Sequence, residues 1–137
     1  GRGSLERELK QKALALSISD RVDFEGFHKN IIPYYLSAHA TILTSLYEGY
    51  PNALIESIAL GTPVVSFDCE SGPNEIIIDN INGYLVRNLD LEDLKNKISK
   101  VLISKFNRRD IINTVKKNKT QYVFALYEKL AKSMISS

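Results

Sequence analysis

The chain has 137 residues, 44% of them apolar and 25% charged, which excludes collagen-like, low-complexity and wholly disordered chains. The formal net charge is only +2, and between Asn30 and Val86 there are six acids and no Lys or Arg, so the middle of the chain lacks the cationic surface that nucleic-acid binding needs. The longest apolar run is six residues, Tyr122 to Tyr127, against roughly 20 for a bilayer span.

Charge is unevenly spread. Residues 1–86 carry 6 Lys/Arg against 11 Asp/Glu, whereas residues 87–137 carry 12 against 5. The basic end, including Lys116, Lys117 and Lys119, reads as a solvated helical face or as a surface for an anionic membrane or another domain. No secretory signal is legible, and the single cysteine, Cys69, forms no intrachain disulfide; a reducing, cytoplasmic setting is expected.

Taken in chain order, apolar residues at Leu5, Leu9, Ala13 and Leu16 predict a helix, with Ser4 as its cap. Arg21 to Phe24 alternates like a short strand, broken by Gly26. Asn30 to His39 reads as a helix that tolerates Pro33 in its first turn, and Thr41 to Thr44 as a buried strand. After a loop from Ser45 to Pro51, Asn52 caps a helix running to Leu60, which Gly61 ends. Val64 to Phe67 is a second buried strand. Ser71-Gly72-Pro73 opens a short helix, Asn80 to Gly83 is a turn, and Tyr84 to Val86 is a strand. From Asp90 onward three helical stretches are expected.

Strands and helices thus alternate at βα spacing. The predicted fold is α/β, a Rossmann-like parallel sheet with helices on both faces. Three or four strands are fewer than the five or six usual in a doubly wound sheet. The chain therefore reads as the later, N-terminally truncated part of such a domain, with residues 1–103 as its core and 104–137 as a helical tail.

In such sheets ligands lie outside the carboxyl ends of the strands. The densest polar set there is Glu48-Gly49-Tyr50-Pro51-Asn52-Ala53-Leu54-Ile55-Glu56. A helix start presents free N–H groups and a partial positive charge, which suit a phosphate. The amides of Asn52, Ala53 and Leu54 are the expected donors; Pro51 has none to give. Two carboxylates flank that start, and carboxylates accept hydrogen bonds from sugar hydroxyls. Read singly, Glu48 is a solvated loop acid and Glu56 a helix-dipole partner. Cys69 and two distant histidines make no zinc cluster, so no metal is expected.

The stretch from Ser45 to Glu56, continued by Ala59-Leu60-Gly61-Thr62-Pro63-Val64-Val65, closely resembles the E-x7-E region of retaining GT-B glycosyltransferases of family GT4. Ser71 to Ile76 and Asn82 to Val86 resemble the segments that follow it there, and Gly1 to Leu5 and Asp20 to Gly26 those that precede it. The resemblance implies that this is the C-terminal, donor-binding domain of a hexosyltransferase. Glu48 would contact donor-sugar hydroxyls and stabilise positive charge at the reacting carbon, and Glu56 would hold the ribose hydroxyls. Gly49, Tyr50, Pro51, Asn52, Ala53 and Leu54 would line the sugar and the distal phosphate. Gly26, Phe27 and His28 would border the base, although the same residues also read as an ordinary turn at a strand end.

The resemblance further implies a nucleotide-diphosphate sugar as donor, with uridine diphosphate favoured, and no separate cofactor. The acceptor would be a glycan or lipid-linked molecule held by an absent N-terminal domain, in polysaccharide or glycoconjugate biosynthesis. The leaving diphosphate needs cations, because one lost electrostatic donor costs about 3 kcal/mol of transition-state stabilisation. In the family an Arg and a Lys upstream of the region matched here supply them. The isolated chain is therefore expected to bind donor weakly and transfer nothing. The rival readings are a non-catalytic Rossmann-like binding or regulatory module and a sugar-nucleotide epimerase of related architecture.

Overall fold

The computed structural model describes residues 3–49, 51–70 and 72–116. These fall into two compact units, divided after Ile31.

In the first unit, α1 (Glu6–Ala15) buries Ala13. Its cap position is Leu5, with no side-chain hydrogen bond, so Ser4 is not the cap. A 3₁₀ turn at Ser19–Arg21 follows. The expected strand at 21–24 does not form. Val22 is extended (φ −128°, ψ 114°), but the stretch has no ladder partner among the described residues. Alternation of side chains decides which way they face; a strand also needs a hydrogen-bonded neighbour.

The second unit runs α2 (Ile32–Ser37), β1 (Thr41–Leu43), α3 (Asn52–Ala59), β2 (Val64–Phe67), α4 (Pro73–Ile76), β3 (Gly83–Val86), α5 (Leu91–Ile103) and α6 (Arg108–Lys116). The strands form one parallel sheet in the order β1-β2-β3, with Thr41 opposite Val64 and Val64 opposite Gly83. β2 is buried along its whole length, which explains why three of its four residues are apolar; the buried Ser66 hydroxyl donates to the Phe67 carbonyl at 3.1 Å. β1 is an edge strand among the described residues and is only half-buried, with Ile42 exposed, where a buried strand was expected.

Alternate residues of β2 feed two cores. Val64 packs with Leu54, Ile58, Ile76, Ile111 and Val115 on one face of the sheet. Val65 and Phe67 pack with Tyr84, Val86 and Val101 on the other. The sheet is thus covered by α3, α4 and α6 on one side and by α5 on the other. Because Ile111 and Val115 are buried against α3, the core continues past residue 103, beyond the expected boundary of the tail. The third helical stretch expected near the C-terminus lies outside the described residues.

α3 ends as its sequence dictates. Gly61 has φ +78°, its N–H donates to the Ile58 carbonyl at 2.9 Å, and the Thr62 N–H donates to the Ser57 carbonyl at 3.0 Å. This pair of bonds closes the helix through a left-handed residue that glycine adopts at least cost.

Candidate functional site

Parallel pairing brings the carboxyl ends of β1, β2 and β3 to one edge of the sheet. The loops 44–51, 68–72 and 87–90 leave that edge and lead into α3, α4 and α5.

The start of α3 differs from expectation by one residue. Pro51, not Asn52, holds the cap position (φ −78°, ψ 78°), and no side chain caps the helix. The pyrrolidine ring sets φ near the helical value, so the turn begins at Pro51. Its carbonyl accepts from the N–H of Leu54 at 3.0 Å and of Ile55 at 3.3 Å. This corrects the donor set. Leu54 uses its amide within the helix, and its side chain is fully buried, so it belongs to the core. Pro51 is likewise buried and serves as a brace. The amides of Asn52 and Ala53, the first two of the helix, have neither an intrahelical acceptor nor a cap among the described residues. They carry the positive end of the helix dipole, equivalent to about half a charge.

The brace works through Gly72, whose φ is +95°. A Cβ there would lie 2.7 Å from Pro51 Cδ, and the Gly49 carbonyl oxygen is 3.8 Å from the same point. The loops after β1 and β2 therefore touch, and only glycine fits between them. Gly49 itself faces open space.

Both acids of the motif are half-buried. Glu48 sits in the loop before α3. Glu56 is one turn into the helix, about 6 Å along the axis from Asn52. Glu56 Oε2 accepts a hydrogen bond from the Tyr35 hydroxyl at 3.2 Å. Tyr35 lies on α2, and its carbonyl accepts from Thr62 Oγ1 at 2.7 Å. Sequence reasoning did not single out Tyr35, because no local spacing rule connects positions 35 and 56; the fold makes that contact.

Tyr50, expected to line the donor, lies outside the described residues, as does Ser71. Gly26, Phe27 and His28 belong to the first unit. There Gly26 has φ +67°, Phe27 is 74% exposed, and His28 Nε2 stands 3.1 Å from Glu25 Oε2.

A cation does reach the carboxyl edge of the sheet. Arg87 follows β3, but its guanidinium lies 2.8 Å from Asp90 and 3.8 Å from Asp93. Asp90 caps α5 by accepting from the Asp93 N–H at 2.8 Å, so Arg87 is engaged in the start of that helix. Among the described residues no three His, Cys, Asp or Glu side chains gather as a metal site. A groove of about 830 Å³ between α4 and α6, lined by Glu75, Asn80, Lys105, Asp110 and Asn113, contains none of the expected site residues.

A parallel α/β sheet with an uncapped helix start at its carboxyl edge is a Rossmann-like arrangement, the class of fold that binds ligands at that edge. The chain belongs to the family of glycosyl transferases group 1, whose model matches residues 1–118. It is 34% identical over 116 residues to a Campylobacter jejuni enzyme named GalNAc-alpha-(1->4)-GalNAc-alpha-(1->3)-diNAcBac-PP-undecaprenol alpha-1,4-N-acetyl-D-galactosaminyltransferase, covering 85% of this chain and 32% of that protein. Among solved structures, the lipopolysaccharide outer core galactosyltransferase WaaB in its apo form superposes with a TM-score of 0.78 at 26% identity, over 96% of this chain and 39% of that one. A point mutant of S. aureus TarM in complex with fondaparinux, alpha-GlcNAc-glycerol and UDP superposes with a TM-score of 0.75 at 25% identity, over 96% of this chain and 27% of that one. The chain spans between 20% and 34% of the length of the first curated relatives it matches. Among the described residues no helix is long and apolar enough to cross a membrane.

Proposed function

We propose that this chain is the donor-binding part of a retaining, GT4-type hexosyltransferase. The enzyme transfers a hexose or N-acetylhexosamine from a nucleotide-diphosphate sugar to a glycan or lipid-linked acceptor held by a separate N-terminal domain. One observation carries the reading: the α3 start, whose first two amides have no helical acceptor or cap among the described residues, stands between Glu48 in the preceding loop and Glu56 one turn on. An anion binds the amides while hydroxyls bind the acids, and a nucleotide sugar offers both. UDP is the favoured donor nucleotide, in keeping with the UDP named in the TarM complex.

The roles follow from that placement. The amides of Asn52 and Ala53 hold the distal phosphate. Glu48 receives the sugar hydroxyls and stabilises positive charge at the anomeric carbon. Glu56 receives the ribose hydroxyls. The acceptor attacks from the face the diphosphate leaves, and a phosphate oxygen takes the acceptor proton. Arg87 is paired with Asp90 and Asp93; in this reading the cations for the diphosphate are the Arg and Lys that the family resemblance places upstream of the matched region, and the isolated chain binds donor weakly and transfers nothing. The basic C-terminal stretch supports peripheral contact with an anionic cytoplasmic membrane face.

Incubation of the full-length enzyme with a UDP-hexose and candidate glycan acceptors tests the reading. The expected product, followed by NMR, keeps the donor's anomeric configuration. An inverted product would overturn the retaining mechanism. Saturable donor binding without transfer to any acceptor would favour a binding module instead.

A further inference from the structure

We propose that Tyr35 is a positioning residue: its hydroxyl sets the orientation in which the Glu56 carboxylate receives the donor's ribose. The inference rests on the ribose role assigned to Glu56 above and deepens it. The hydroxyl donates to Glu56 Oε2 at 3.2 Å. The base of Tyr35 is itself clamped, because its carbonyl accepts from Thr62 Oγ1 at 2.7 Å. Thr62 is buried, and its own carbonyl lies 3.0 Å from Ser57 Oγ, which is also 2.9 Å from Thr41 Oγ1. Ser57 is fully buried and adjoins Glu56 in α3. One polar chain thus ties α2, β1 and both ends of the Tyr35 contact to the same helix. A tyrosine has only two side-chain torsions, so a fixed backbone delivers its hydroxyl to a narrow region. A glutamate has three, and ordering it only when ligand arrives would weaken binding.

The test uses the full-length enzyme with a UDP-sugar and its 3′-deoxyribose analogue. Tyr35→Phe keeps the ring and removes only the donor. The expected result is a donor KM raised about tenfold, kcat within about twofold, an unchanged melting temperature, and a reduced preference for the ribose donor over the deoxy analogue. A purely structural role would lower the melting temperature and leave that preference intact, which overturns the proposal. Glu56→Gln separates the two levels. If Glu56→Gln erases the ribose preference while Tyr35→Phe keeps wild-type KM and preference, Tyr35 is not a positioning residue and the Glu56 assignment survives. If Glu56→Gln leaves the preference untouched, the ribose assignment falls, and the role of Tyr35 falls with it.

Discussion

Gly72 sets the tolerance of the site at the scale of single residues. With φ +95° and the Pro51 ring 2.7 Å from where a Cβ would stand, Gly72→Ala meets both backbone strain and a clash with a buried ring. The strain alone is worth about 1–3 kcal/mol. Relief requires Pro51 to move, and Pro51 is the residue from which α3 starts. Gly72→Ala is expected to lower the melting temperature and raise the donor KM together. Gly49→Ala, which meets nothing within 4 Å, leaves the melting temperature at the wild-type value. Equal melting temperatures for the two variants would show that the loops do not brace each other. At this scale the two acids were singled out by resemblance, since each read singly is an ordinary loop or helix acid. The partner of Glu56 was not, because the Tyr35 hydroxyl comes from an element 21 positions away.

Elements whose signals are local were read closely. β2, the Gly61 termination of α3, the Pro73 start of α4 and the Asp90 start of α5 each rest on residues within a turn of one another. Where a partner decides the outcome, the sequence misleads. Residues 21–24 alternate correctly but form no strand, and Ile111 and Val115 look like one side of a basic tail yet enter the core. Their burial makes a measurable claim. Ile111→Ala is expected to destabilise the chain by about 2–4 kcal/mol in urea unfolding, as for other buried aliphatic truncations. A change below about 0.5 kcal/mol would return α6 to the solvated surface. Asn82 supplies a second check. It is fully buried, donates to the Ile76 carbonyl and Thr114 Oγ1 at 2.9 Å each, and accepts from the Ile78 N–H at 2.7 Å. It therefore joins the end of α4, the start of β3 and α6. Asn82→Ala leaves buried backbone groups unpaired and is expected to cost about 2–4 kcal/mol in the same measurement.

For the whole molecule, the charge distribution and the site complement each other. The segment from Asn30 to Val86, which holds Glu48 and Glu56, has no Lys or Arg, so in the proposed function attraction for a diphosphate rests there on backbone amides. That arrangement suits a donor site completed by cations from elsewhere, and it separates the binding of hydroxyls from the binding of phosphate. The two functions can then be lost independently. The most direct measurement is turnover by the full-length enzyme carrying Glu48→Gln, which preserves shape and removes the charge. In the proposed mechanism Glu48 acts chiefly when positive charge develops at the anomeric carbon, so kcat is predicted to fall at least about a hundredfold while donor affinity changes only a few-fold. Wild-type turnover in that variant would contradict the account.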